Sequence, residues 1–501
     1  MDSFNYFETD SEINSAMDVE TILGIDSKKE LHEEFVRNIN GTTISEVFVL
    51  TLPFHIYTVV VAITGVLFGS LHLICESPED PPCKCHGIPA NKLNIFVKEM
   101  VCLAMPLLLT STVLSERPLS TPLLLVLAVI VVFIVGKITK VNTVSCIFQW
   151  YYDDYPRLVL NPHRRSSVTC CRSLCSISAM VTMLAVDFHI FPRKFAKTAA
   201  YGYSFMDAGV GLFVLSSAVV ENADSIRRSG LKRTFQTSSA LFSFGLLRYY
   251  AVEKFNYQNP VGEYGVHWNF FFTLAVVKML CYCILRFGDF SNNVFLYIGE
   301  ISLVQLLFWV CDLEGYILSD SPRKDWADAN REGLFSLMGF TSLYLLGVYF
   351  NEILKSSDSI KSDCRILGKL LLYSAVSLVV ILNIHEVMPA SRRAANLTYV
   401  MWIMSLAMLH FTAALTVEIF LVGILFGNKR NKYYLTTPLI YESINYNRLA
   451  FFLLSNLLTG LINIMFNTLE MNTFESLVVL IAYVIVNCGV LFYLYVKRIK
   501  L

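Results

Sequence analysis

The stretch AVDFHIFPRKFAKTAAYGYSFMDAGVG, residues 185–211, gathers two carboxylates, Asp187 and Asp207, and three cations, Arg193, Lys194 and Lys197. An apolar run beginning near Cys175 precedes it, so these groups fall at or beside a membrane boundary. A charge near the bilayer centre costs roughly 2.5–3.5 kcal/mol on insertion scales, so such groups are paired, interfacial or functional. Pro192 lacks the N–H that helical bonding needs and ends or kinks the helix carrying Asp187. The spacing predicts that the chain then turns across the membrane face and presents Lys197 back toward Asp187. Two readings stay open for this stretch: a cationic interfacial loop with one structural ion pair, or a tuned acid–base pair.

The elements that must position these groups are membrane helices. Hydrophobic residues make up 55% of the 501 and charged residues only 16%, the composition of an integral membrane protein. A formal net charge of zero argues against a nucleic-acid partner. Runs of about 20 apolar residues, bilayer length, predict an all-α polytopic bundle of about 13 transmembrane helices. The expected spans are 45–73, 93–114, 120–138, 173–191, 205–221, 235–253, 266–286, 292–311, 333–354, 366–384, 396–426, 448–469 and 476–496. Residues 1–44 form a polar, acidic tail without the basic and apolar regions of a cleaved signal peptide, and 45–501 form one membrane domain. Lys and Arg are nearly twice as frequent in the connectors on the C-terminal side, which predicts a cytoplasmic C-terminus and an N-terminal tail on the far side. Two glycosylation sequons, at Asn40 and Asn396, fall on that far side close to the membrane. The thirteen cysteines are scattered through apolar runs as small core residues; only the Cys75–His86 loop brings soft ligands close together, and its pattern is too weak for a metal site.

On the far side the short connectors carry mixed polar clusters that the Ser- and Lys/Arg-rich cytoplasmic connectors lack. EYGVHWNFF (263–271), DWADANREG (325–333) and PASRRAAN (389–396) place Glu263, His267, Trp268, Asn269, Asn330, Arg331, Glu332, Arg392, Arg393 and Asn396 at helix ends facing one compartment. Arg392 and Arg393 are phosphate ligands or helix-end anchors. His267 starts a helix, where the macrodipole disfavours its protonated form. Inside the spans, His410 reads as core packing, Glu300 and Glu418 as partners for Lys278 or Arg248, and Asn456, Asn463 and Asn467 as interhelical donors.

FVRNINGTTISEV (35–47), AVDFHIFPRKFAK, SFMDAGVG, EYGVHWNFF, ANREG, SRRAANL and FFLLSNLLTGLIN together resemble the GPI-anchor inositol acyltransferases, also called GPI-anchored wall transfer proteins. The blocks run in family order from about residue 31 to the C-terminus. Two departures are His189, where the family usually has proline, and Lys194, where it usually has arginine. The resemblance implies a multi-pass enzyme of the endoplasmic-reticulum membrane, with a lumenal N-terminus, that moves a fatty acyl chain, typically palmitoyl, from acyl-CoA to the inositol 2-hydroxyl of glucosaminyl-phosphatidylinositol. Acyl-CoA is then a co-substrate, and no permanently bound cofactor or metal is implied. By the same resemblance Asp187 and Lys197 are the catalytic pair, the carboxylate as base or base-orienter and the ammonium steadying charge on the thioester oxygen. Arg193, Lys194, Asp207, His267, Trp268, Asn269, Asn330, Arg331, Arg392 and Arg393 form the substrate-binding set, with the arginines and Lys194 candidates for substrate phosphates. Two rivals from other classes are a transporter, which needs a midplane site between repeats, and a structural assembly subunit.

Overall fold

Backbone in hydrocarbon must satisfy its own hydrogen bonds, and in the computed structural model of this chain the apolar runs do so as helices. The structure describes residues 35, 39–67, 92–120, 123, 165–221, 223–254, 261–287, 294–319, 321–355, 360–426 and 437–501. Among them eight helices are long and apolar enough to cross a membrane, which makes the chain an all-α multi-pass membrane protein. The expected span 120–138, nearly all of the N-terminal tail and the Cys75–His86 loop lie outside the described residues.

In chain order the helices are α1 (Ile44–Thr51), α2 (Phe54–Leu67), α3 (Lys92–Glu99) and α4 (Met105–Ser111). There follow α5 (Ser166–Ala185), α6 (Phe205–Ala218), α7 (Ala223–Lys254), α8 (Val261–Tyr264) and α9 (Phe270–Phe287). Next come α10 (Val294–Val310), α11 (Leu313–Leu318), α12 (Trp326–Ala329), α13 (Arg331–Lys355) and α14 (Ile360–Ile384). The last are α15 (Leu397–Phe426), α16 (Leu439–Tyr446), α17 (Arg448–Met465) and α18 (Thr473–Val496). Proline explains two irregularities. Pro53 lies in the turn that divides the first expected span into α1 and α2. In the second, Pro106 cannot donate to the carbonyl a turn earlier, and the five residues Met100–Ala104 form a π turn just before it.

Two expectations are corrected. The connector SIRRSGLKR is helical and extends α7 back to Ala223, because Arg, Lys and Leu are good helix formers wherever a face is solvated. The short helices α8, α11, α12 and α16 were not expected; each is eight residues or fewer and too short for a periodic signal.

Two apolar cores hold the bundle. One joins α6, α9, α13, α14 and α15 through side chains such as Val214, Val277, Leu343, Leu370 and Leu406. The other joins α2 to α5 and α16 to α18 through Leu107, Met180, Tyr441 and Val484. Helix α13 is the most deeply buried span, and two glycines let neighbours press onto it. A Cβ on Gly347 would sit 2.6 Å from the Leu215 carbonyl oxygen, and one on Gly339 would sit 1.8 Å from that of Ala395. At the end of the bundle carrying residues 187–207, the segment before α1 is laced to that loop. Ala199 N donates to Ile39 O (2.8 Å) and Thr42 N to Tyr203 O (2.6 Å). Gly202 has φ +131°, and a Cβ there would meet Asn40 O at 2.3 Å.

The α13 contact is directly testable. Gly339→Ala forces the 389–396 loop outward and should lower stability by about 1–3 kcal/mol, the usual cost of overpacking, measured by thermal unfolding in detergent. Gly368→Ala on α14, where a Cβ meets nothing within 4 Å, should leave the midpoint unchanged or slightly raised.

Candidate functional site

The loops at the 187–207 end close over the bundle in one polar layer, as the helix-end clusters predicted. At its centre Asp207, wholly buried in the first turn of α6, accepts from Arg392 Nε at 2.7 Å. Thr198 completes the carboxylate, its N–H at 3.0 Å and its hydroxyl at 2.7 Å from Oδ2. The same aspartate starts its helix correctly: Ser204 Oγ accepts the Asp207 N–H (3.0 Å), and a negative charge in the first turn opposes the positive end of the helix dipole. Tyr399 donates to the Asp207 carbonyl (2.9 Å).

Beside this pair Lys197 Nζ lies 2.6 Å from Glu263 Oε2. Burial raises the Glu263 carboxyl, but Lys197, Arg392 and Arg248 outweigh it and hold the group below its ordinary value. Asp207, Arg392, Lys197 and Glu263 thus form one alternating cluster of charge. A third neighbourhood surrounds Glu332, wholly buried, which receives Arg323 at 3.0 and 2.5 Å and Arg393 at 2.9 Å.

Asp187 stands apart. It follows the last turn of α5, is 3% exposed, and accepts from Asn463 Nδ2 of α17 at 2.7 Å. Arg193 curls back over the same turn, donating to the carbonyls of Val186 (2.8 Å), Phe188 (3.2 Å) and Phe191 (3.1 Å). Burial pushes its guanidinium down to about 10 against the pull of the Asp187 carboxylate.

The expectation that Lys197 turns back to Asp187 is therefore overturned: among the described ion pairs none joins them, and Lys197 reaches Glu263 instead. The physical reason lies in residues 193–198. Arg193–Phe195 forms a 3-10 turn and Thr198 is pinned to Asp207, which carries Lys197 toward α8. The arginines expected to meet substrate phosphates have partners within the chain. Arg392 and Arg393 are already paired with carboxylates, and Arg331, 1% exposed, donates to the carbonyls of Ser319 and Ser321. Lys194 pairs with Glu46 at 2.6 Å.

The remaining residues of the set are positioned by backbone bonds. Asn269 accepts from Phe271 N (3.0 Å) to start α9 and donates to Gly245 O (2.9 Å). Asn330 accepts the His267 N–H at 2.8 Å, leaving the His267 ring exposed against Tyr249. Trp268 Nε1 donates to Thr273 (3.0 Å) and its ring meets Trp326. Asn396 is fully buried and donates to Glu314 (2.9 Å) and Pro389 O (2.8 Å), so that sequon is closed in the fold.

Deeper in the bundle, sequence reading missed His55, whose Nε2 is 2.9 Å from His410 Nδ1, with Thr51 at 3.2 Å on the far ring nitrogen. No local pattern links residues 355 apart. The expected partners also change: Lys278 pairs with Glu221 (2.5 Å), Glu300 accepts from Ser342 (2.9 Å), Glu418 takes the Ser167 N–H (2.9 Å), and Arg248 meets Asn456 (2.8 Å).

Comparison with known proteins gives a family and full-length relatives. The GWT1 family model matches residues 28–494. The glucosaminyl-phosphatidylinositol-acyltransferase PIGW of Homo sapiens is 29% identical, aligned over 94% of this chain and 98% of its own. GPI-anchored wall transfer protein 1 of Saccharomyces cerevisiae is 30% identical over the same shares, and that of Yarrowia lipolytica 28% over 95% and 99%.

Because Arg392 and Asp207 are buried together, Arg392→Ala leaves an uncompensated carboxylate. The expected loss is about 3–5 kcal/mol, read as a fall in folded yield and in the detergent melting point. Asp207→Asn combined with Arg392→Gln should recover much of that stability. A normal melting point for Arg392→Ala, with only a raised KM, would instead make the arginine a substrate ligand.

Proposed function

The chain belongs to the GWT1 family, and from that premise we infer that it acylates the inositol of glucosaminyl-phosphatidylinositol in GPI-anchor biosynthesis. The carrying observation is the match across residues 28–494, which leaves almost no part of the fold unaccounted for by the family. The enzyme needs an acyl donor. The finer reading takes this to be acyl-CoA, with palmitoyl as the chain, and places the protein in the endoplasmic-reticulum membrane with the 187–207 face lumenal and the C-terminus cytoplasmic. The excess of Lys and Arg in the C-terminal-side connectors supports that orientation.

Asp187 is the base in this reading. It is a buried carboxylate at the end of a membrane helix, oriented by Asn463, and an alcohol becomes a competent nucleophile only as its proton is removed. The inositol hydroxyl passes its proton to the carboxylate as its oxygen bonds to the thioester carbonyl carbon. Collapse breaks the carbon–sulfur bond, and the departing thiolate recovers the proton from the carboxylic acid. Lys197 supplies the cation for the transient oxyanion. Its pair with Glu263 is about a quarter exposed on each side, so exchanging that partner for substrate costs only about 0–1 kcal/mol. Direct transfer requires no acylated side chain.

Three outcomes test the assignment. Asp187→Asn should lower transfer from palmitoyl-CoA to glucosaminyl-phosphatidylinositol by roughly 10²–10⁴ with folding intact, the scale of a lost general base. Near-normal transfer by a folded Asp187→Asn protein sinks the base assignment. Lys197→Ala should also be severe while Glu263→Gln is mild. If Glu263→Gln is as damaging as Lys197→Ala, the Lys197–Glu263 pair is itself the working unit. For orientation, a C-terminal tag should be reached by protease in sealed microsomes and an N-terminal tag protected; both tags on one side would refute it.

A further inference from the structure

At the opposite end of α17 from Asn463 lies a buried guanidinium held by neutral groups. Arg448 is 9% exposed, and among the described residues it takes part in no ion pair. Its Nε donates to Ser176 Oγ (2.9 Å), Nη2 to Ser216 Oγ (2.6 Å) and Nη1 to Ser217 Oγ (3.2 Å), while the Phe213 ring lies 4.4 Å from its central carbon. The three hydroxyls are neutral, and each also donates to a helix carbonyl: Ser176 to Arg172 O, Ser216 and Ser217 to Phe213 O. A second guanidinium converges on the same residue: Arg172 Nε donates to Ser216 O at 3.1 Å, and its Nη1 is engaged by Asn445 Oδ1. Arg392, Arg393 and Arg323, by contrast, each face a carboxylate.

The cluster borders a cavity through Ser216, the residue both guanidiniums contact. Ser216 and Cys175 also line a cavity of about 50 Å³ between α5, α6 and α15, which continues past Leu212, Leu215 and Ala208 to Phe205. A buried cation is costly unless an anion or strong dipoles compensate it, and a paired arrangement of guanidiniums suits phosphate through fork-like hydrogen bonds. We propose that Arg448, with Arg172 beside it, is an anion site that takes a phosphate of an amphiphilic substrate, resting on the acyltransferase reading for which substrates those are. The phosphate belongs either to the nucleotide of the acyl thioester or to the phosphodiester of the inositol lipid. Placement favours the nucleotide. Arg448 lies at the end of the bundle where Asn447 holds the C-terminal residues, donating to Ile499 O and accepting from Leu501 N. Along α17 the rise from Arg448 to Asn463, the Asp187 partner, is about 22 Å at 1.5 Å per residue. An extended pantetheine arm can join a phosphate at one end to a thioester at the other.

The test uses the full-length protein in detergent and two variants, Arg448→Gln and Arg448→Lys. Three quantities are compared: kcat/KM for palmitoyl-CoA, kcat/KM for palmitoyl-pantetheine, which lacks the nucleotide phosphates, and KM for glucosaminyl-phosphatidylinositol. For Arg448→Gln the palmitoyl-CoA to palmitoyl-pantetheine ratio should fall roughly 10–100-fold, the range of a charge-assisted contact, with a smaller fall for Arg448→Lys. An unchanged ratio with a raised KM for the lipid assigns the phosphate to the lipid and upholds the site. All three quantities within about twofold of the native chain, in a folded variant, overturn it. If Arg448→Gln does not fold, Arg448→Lys decides by the same three readings. Thermal stabilisation by palmitoyl-CoA and by the lipid is scored in parallel. A native chain that binds either ligand through Arg448 yet transfers nothing would sink the acyltransferase reading and leave the anion site standing.

Discussion

The pair Asp207–Arg392 fixes the polar layer. Both partners are withdrawn from water, and such a pair persists only when its remaining lone pairs and protons are met as well as its charge. Thr198 meets the carboxylate twice and Tyr399 takes the adjacent carbonyl. Two stretches far apart in sequence therefore have to arrive together: residues 196–207, which turn into the start of α6, and the 389–396 loop. Once they have, further bonds follow at low cost. Gly202 N reaches Ala390 O (2.9 Å), Ser391 Oγ reaches Ala200 O (2.8 Å), and Arg393 Nη1 reaches Ala199 O (3.0 Å).

That constraint sorts the charged groups into fixed and movable. Arg392 and Arg331 are locked by burial, so recruiting either for a substrate would break a buried interaction. Lys197 and Lys194 are different. Each is about a quarter to a third exposed on a flexible four-carbon stem, and a lysine ammonium can re-aim without disturbing backbone. In the proposed function the carboxylate is fixed, Asp187 being held by Asn463, and the cation is movable, Lys197 being next in sequence to Thr198, which Asp207 holds.

How much of this was legible in the sequence depends on the range of the interaction. Helices such as α13, α15 and α18 were readable because twenty apolar residues leave the backbone no alternative in a membrane. The gathering of Glu263, Asn330, Glu332, Arg392 and Arg393 at one end was readable too, because each sits at the end of a predictable span and span parity fixes the side. Partner choice was not. Lys197 is ten residues from Asp187 and sixty-six from Glu263, and only the pinning of Thr198 decides between them. His55 with His410 is the extreme case, a contact across two spans with no local trace. The SIRRSGLKR segment failed for the opposite reason: its charge density read as a connector, although charged residues are good helix formers on a solvated face.

Charge at two depths then separates structure from function within one bundle. Where a buried arginine has its carboxylate, as Arg392 does, the chain is internally complete and the charge explains the fold. Where it has hydroxyls and an aromatic face instead, as Arg448 does, the fold supplies dipoles and, among the described residues, no ion-pair partner. The buried residues of α17 are Arg448, Phe451, Ser455, Thr459 and Asn463, a nearly continuous polar stripe. Ser455 bonds Asn487 (3.0 Å) and Thr459 bonds Tyr483 (3.1 Å). Small hydroxyls in these positions let α5, α17 and α18 pack closely while satisfying one another. Its two ends carry the hydroxyl-held cation and the amide that bonds Asp187, so α17 acts as a rigid spacer between them. A rigid spacer is what a reaction needs when one end of its donor is charged and the other end must meet a base.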